Sequence, residues 1–247
     1  IRWVIWTIAG LYITTIVLLH IPAVQGFLAQ KVGDVAGNKL GTEVHVGRID
    51  LGFINRFVLD DILIYDQSHK KMLSASRVGA RVDIWHLLRT GEINISSAQL
   101  FGLRAELYKT SKDAKPNFQF VLDSLASKDT TSHTPLHLSI NSLVIRHGNI
   151  KYDCLDAPTT PNRLNLNHIN VSDISSYLIL NKLDDTSMWA DLRALAFKEA
   201  SGLEVKQLAF ELKANQQQAA LRDFIFDGTN SKIALKELFT TYKFNNK

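Results

Sequence analysis

The sequence predicts a mostly β protein. An N-terminal transmembrane helix and an amphipathic helix come first, followed by a long antiparallel sheet with small helical insertions. Three observations lead there. The chain opens with an uncharged apolar run, WVIWTIAGLYITTIVLL. After Gly41 the apolar period drops from 3.6 residues to 2, the signature of a strand with one buried face. One β pattern with a mid-strand slip of phase then recurs, as in VHVGRIDL (44–51) and LEVKQLAF (203–210).

The apolar run from Trp3 to Leu19 carries no charge, with Arg2 before it and Lys31 the next charge after it. A helix of about 20 residues crosses the ~30 Å hydrocarbon core of a bilayer, so residues 1–21 suit a signal anchor. Trp3 and Trp6 sit near one end, where interfacial aromatics belong. The segment after the run, IPAVQGFLAQ, lacks an A-x-A-like cleavage site, which favours an uncleaved anchor. The basic N-terminal flank places the start of the chain in the cytoplasm and the bulk outside it.

Residues 22–41 read as an amphipathic helix. Pro22 suits its first turn, and Gly41 suits its stop. Val24, Leu28, Val32, Val35 and Ala36 recur at three- and four-residue steps and define its expected buried face. Such a helix either lies on the bilayer surface or closes one end of the domain that follows. Its weakly basic polar face favours closure.

The slipped β pattern occupies 44–51, 93–100, 138–145, 164–171 and 203–210. In the first copy Val44 and Val46 alternate, and Ile49 and Leu51 then alternate one residue out of phase. Strict alternation would send the second pair to the opposite face. A β-bulge, or two short strands joined by a tight bend, returns it to the same face. Partner strands are expected at 57–66, 72–84, 103–109, 148–153, 177–180 and 188–197. His147-Gly148 and the 226–228 FDG read as turns. Helical insertions are expected at 84–91 and at 117–127, the latter capped by Asn117. The polar stretch around 128–135 reads as a linker between a first β subdomain (42–127) and a second (136–247) that is expected to extend beyond Lys247.

The search for chemistry returns little. The 247 residues carry a net charge of +4, with basic and acidic residues interleaved. That is a mixed solvated surface, so no nucleic-acid partner is expected. Nucleotide-binding, zinc-protease and nucleophile-elbow motifs are absent. His133 and His137, four apart, lack a helical context for metal binding. Asp60-Asp61 and Asp184-Asp185 read as solvated turn residues. The single cysteine, Cys154, excludes an intramolecular disulfide and reads as inert. No enzymatic activity, cofactor or metal is expected. What remains is one-sided apolar sheet. It can close on itself as a dry β-sandwich, or curl into an open gutter that holds lipid tails.

The order of features bears on that choice. IPAVQ opens a helix, and LGTEVHVGRIDLGF, NRFVLDDILIYDQ, DIWHLLRTGEI, LFGLRAELYK and NFQFVLDSL follow in turn. Across residues 21–125 this resembles the N-terminal end of TamB-like proteins of the AsmA-like group. The resemblance implies a curved antiparallel β groove of the β-taco type, anchored in the inner membrane of a two-membrane bacterium with its bulk in the periplasm. It implies phospholipid as cargo, moved toward the outer membrane, and a BamA-like outer-membrane barrel as a partner in outer-membrane protein assembly. On that reading the groove is lined by Val44, Val46, Ile49, Leu51, Ile93, Ile95, Leu138, Ile140, Leu143, Ile145, Leu164, Leu166, Leu203 and Val205.

Overall fold

The computed structural model describes residues 2–51, 55–83, 85–86, 89, 95–126, 141–183 and 187–242. Three helices are α1 (Arg2–Leu19), α2 (Pro22–Leu40) and α3 (Gln119–Ala126). The strands are β1 (Val44–Leu51), β2 (Arg56–Tyr65), β3 (Lys71–Val82), β4 (Ile95–Phe101), β5 (Arg104–Lys109), β6 (Ser142–Cys154), β7 (His168–Leu183), β8 (Ser187–Glu199), β9 (Glu204–Asn215), β10 (Gln218–Gly228) and β11 (Lys232–Thr241). All eleven join one sheet, with β5 in line with β4 between β3 and β6. The sheet continues unbroken past the expected subdomain boundary, because β4 and β5 both hydrogen-bond to β6. The linker residues 128–135 lie outside the described residues.

The sheet is mixed rather than purely antiparallel. Pairings are antiparallel throughout except where β4 and β5 run parallel to β6. The cause is the connection. A tight hairpin returns the chain antiparallel, whereas parallel neighbours need a longer crossover, usually with a helix. Here α3 lies on that crossover.

Every strand line changes phase once near its middle, and this answers the repeated spelling. Two polar or small residues separate two apolar ones: Val46-Gly-Arg-Ile49, Leu59-Asp-Asp-Ile62, Ala75-Ser-Arg-Val78, Val171-Ser-Asp-Ile174, Leu221-Arg-Asp-Phe224 and Leu235-Lys-Glu-Leu238. The backbone absorbs the extra residue with left-handed φ angles at Asp61 (55°), His147 (54°), Asp173 (56°) and Asp223 (50°). Aspartate and histidine are among the side chains that tolerate this region. Between β1 and β2 the register does not shift, because both strands take an extra residue at the same level, Gly47 opposite Asp61. Registers do shift between β6 and β7, β7 and β8, and β9 and β10.

Several expectations are corrected. His147-Gly148 is not a turn but a kink inside β6, so 142–145 and 148–153 belong to one strand, while 138–140 lie outside the described residues. Residues 164–167 are not strand: they form the loop before β7, closed by an Asn165–His168 bridge. Asp60 and Asp61 sit mid-strand in β2, not at a turn. Asp184-Asp185, His133 and His137 lie outside the described residues, as does most of 84–91.

Helix α2 starts at Pro22 and ends at Gly41, whose φ of 69° makes the left-handed cap. The face it buries matches the expected one only in part: Leu28 packs against the sheet and Val24 and Ala36 are half-buried. Ala29, Gly33 and Gly37 meet the sheet, while Val35 is 67% exposed. The close approach needs small residues. A Cβ on Gly33 would stand 2.8 Å from the Val44 carbonyl oxygen, and one on Gly37 would stand 2.7 Å from that of Thr42. Ala29 joins Val46, Ile49 and Ile62 in a buried cluster, with Leu28, Val44, Phe57, Leu59, Ile64 and Val78 packed against it. The helix therefore covers the β1–β3 end of the sheet.

Asn117 does not cap α3. Its Oδ1 accepts from the Tyr108 backbone N–H at 2.9 Å, and its Nδ2 donates to the Glu106 carbonyl, tying the crossover to the end of β5.

In α1 the described apolar side chains are exposed all round, Trp3 at 87% and Trp6 at 73% among them. Among the described residues no single helix is long and apolar enough to cross a membrane, but Gly10–Leu19 and Pro22–Leu40 pass by length and composition as a pair bent by 73°.

Gly37→Val tests the docking of α2. Its branched Cβ has only backbone in its way, so the helix must lift from β1. Thermal unfolding should report a loss of about 1–3 kcal/mol, the usual cost of overpacking. An unchanged melting temperature would contradict the close contact.

Candidate functional site

Cross-strand partners share a sheet face, so the registers trace the apolar residues across the molecule. One row runs Leu51–Phe57–Ala80–Ala98–Leu143–Leu178–Leu192–Phe210. It continues to Phe224, whose ring stacks on Phe210 with centroids 6.5 Å apart, and ends at Leu235 on β11. A second row, two residues along on every strand but β8, runs Ile49–Leu59–Val78–Leu100–Ile145–Ser176–Leu195–Leu208–Phe226–Ile233. Ser176 is its one polar member. The rows cross ten strands in line, about 43 Å at ~4.8 Å per step.

Coverage of this face falls along its length. At the β1 end Val46 and Ile49 are buried beneath α2. From β6 to β10 most of the row is half-buried, including Leu143, Leu178, Leu195, Leu208, Phe210 and Phe224. On β11, Ile233, Leu235 and Leu238 are exposed. No second sheet covers the face among the described residues.

The expected lining residues divide accordingly. Val44, Val46, Ile49, Leu143, Ile145 and Val205 stand on strands with apolar cross-strand partners or within the α2 cluster. Ile95 opens β4 opposite Val82 and is half-buried. Leu51 ends β1 opposite Phe57. Leu203 precedes β9, its carbonyl accepting from the Glu199 N–H. Leu164 and Leu166 are excluded from the face: they stand on the loop before β7, and Leu166 is 73% exposed. Ile93, Leu138 and Ile140 lie outside the described residues. Leu178, Leu192, Phe210 and Phe224 carry the middle of the row and were missing from the expected set. Their signal was the apolar–polar–polar–apolar tetrad in β7 to β10.

Charge collects on the opposite face. Asp60, buried between its neighbours, accepts from Arg77 Nε and Arg48 Nη2, both at 2.7 Å. The bond from Arg77 holds its carboxyl below the usual range against the cost of burial, and Arg48 adds to the effect. Across β8 and β9 Trp189 Nε1 donates to Glu211 at 2.8 Å, Lys213 pairs with Glu211, and Lys213 lies 4.2 Å over the Trp189 ring.

The remaining buried polar groups serve turns. Asp66, 1% exposed, accepts from the Ser68 and Lys70 N–H groups, from Tyr108 Oη at 2.9 Å and from Asn117 Nδ2. Burial raises its carboxyl, and these donors together bring it below the ordinary value. Cys154 is fully buried and donates to Asp156 Oδ1; that bond and burial push the thiol up, which leaves it a poor nucleophile. No cluster of three or more metal-ligating side chains forms among the described residues.

His168 fastens the 155–167 loop. Its Nδ1 lies 3.0 Å from Asp153 Oδ1 and its Nε2 lies 2.9 Å from the Ala157 carbonyl. Only the imidazolium donates at both nitrogens. The Asp153 carboxylate first, and then the Ala157 carbonyl, raise the ring above its ordinary 6.5 against desolvation. A raised folded-state pKa contributes stability that is complete below the unfolded value and lost as pH rises through the folded one. Amide exchange in residues 155–167 should therefore be slow at pH 6 and quicken above the raised pKa. His168→Gln should remove that pH step; its persistence in the variant would contradict the assignment.

No family model matches the chain, and no curated protein matches it.

Proposed function

We propose that the chain is a membrane-anchored lipid conduit of the TamB/AsmA-like type, with the apolar sheet face as the inner wall of a curved groove. The observation that carries the reading is that face. It is continuous over the strands, apolar at nearly every step, and left half-open along most of its length. Burying a methylene is worth about 0.8 kcal/mol, so sheltering a sixteen-carbon tail is worth roughly 12 kcal/mol. A soluble protein that leaves so much apolar surface uncovered has a ligand or partner for it. Phospholipid tails fit a long trough, while the charged outer face of β8–β10 stays wet.

Helix α1 is the anchor on this reading, and Trp3 and Trp6 are its interfacial aromatics. The bulk then lies in the periplasm of a two-membrane bacterium, and transport runs toward the outer membrane. A BamA-like barrel partner follows from the family resemblance. Moving lipid along an apolar trough requires no catalytic side chain, and the polar constellations described above are all engaged in turns and cross-strand pairs.

A photo-crosslinking residue at Leu178 or Phe210, both half-buried on the face, should capture phospholipid in membranes containing the full chain. The same residue at Glu211, on the outer face beside Phe210, should capture little or none. Capture at Glu211 with none at the two inner positions would overturn the proposal.

A further inference from the structure

Helix α2 carries a second apolar surface that the sheet does not use. At about 100° per residue, Ala29, Gly33 and Gly37 point at the sheet, and Phe27, Val32 and Val35 centre roughly 170° away. Phe27 is 59% exposed and Val35 67%. The stripe overlaps the face that the sequence's periodicity marks for burial at Val32 and Val35, whereas Val24 and Leu28 of that face are half-buried and Leu28 packs against the sheet cluster.

We infer that this stripe lies in the headgroup layer of the bilayer, so that α2 is an interfacial helix clamped between membrane and sheet. The inference rests on α1 being the membrane anchor. Three observations favour lipid as the occupant. The stripe follows directly on α1, where Trp3, Trp6, Leu11, Ile13, Val17 and Leu18 are exposed. The two helices meet at a 73° break, so with α1 along the membrane normal α2 lies within about 17° of the membrane plane, the posture of an interfacial helix. Lys31 and Lys39 fall on the stripe's arc, and Lys31 stands 5.9 Å over the Phe27 ring. An ammonium there reaches lipid phosphate while its stem lies along apolar surface. The acidic residue of the helix, Asp34, falls outside the arc.

The consequence is positional. The sheet contact and the membrane contact are on opposite sides of α2, so the buried β1–β3 end of the sheet stands directly on the leaflet surface.

Single cysteines at Phe27, Val35, Gln30 and Leu11, in a Cys154→Ser background, can each carry a bimane label. The full chain is reconstituted into vesicles of phosphatidylethanolamine and phosphatidylglycerol, with and without headgroup-region doxyl lipid. Labels at Phe27 and Val35 should shift to the blue and be quenched by the doxyl lipid, while the label at Gln30 stays aqueous and unquenched. If Leu11 is blue-shifted but Val35 is as aqueous as Gln30, α2 is not interfacial and the anchor stands. If Leu11 is also aqueous, both readings fall. A blue-shifted Val35 that doxyl lipid does not quench would mean protein covers the stripe, which also overturns the inference.

Discussion

One constraint organises this molecule: each strand must keep its apolar side chains on a single face although two polar or small residues interrupt its middle. With ideal alternation, everything beyond the interruption would rotate to the other side. The backbone solves this locally. Asp61, His147, Asp173 and Asp223 adopt left-handed φ angles, at about 1–2 kcal/mol each for a residue with a Cβ. These kinks, in β2, β6, β7 and β10, keep both halves of the strand on one apolar surface. Remove the kinks and Ile49, Ile62 and Val78 would part company with Val46, Leu59 and Ala75. The α2 cluster would then lose half its members.

The same arrangement explains where chemistry is absent. Polar residues displaced from the apolar face pair across strands on the other side, as Arg48, Asp60 and Arg77 do, or the Trp189, Lys213 and Glu211 group. At the ends of strands Asp66, Glu199 and Asn117 satisfy backbone donors in turns. Buried polar groups must find partners, and in this fold they find them within the protein. An apolar wall with no such demands is left for something else to occupy.

The sequence carried the mostly β class, though not the mixed sheet, and it carried the slip itself at 44–51 and 203–210. It misled in specific ways. LNLNHINV has the slipped spelling, yet its first half is loop, because apolar spacing over so few residues does not distinguish a strand from an approach to one. The polar pair in LDDI reads as a turn when viewed alone. Only the recurrence of the tetrad in strand after strand reveals a mid-strand kink. The α2 face failed in part, for a different reason. Periodicity ranks residues by hydrophobicity, whereas a helix that must lie close against a strand is chosen by the size of its residues, and glycine scores poorly on any apolar scale. The parallel entry of β6 depends on a crossover whose length and route no local pattern encodes.

The central claim is that the row from Leu178 to Leu235 faces lipid. A cryo-EM map of the full chain in a lipid nanodisc tests it most directly. The account predicts elongated, acyl-shaped density lying along Leu192, Phe210 and Phe224. Side chains of another protein segment packed tightly against that row, with no amphiphile between, would contradict it.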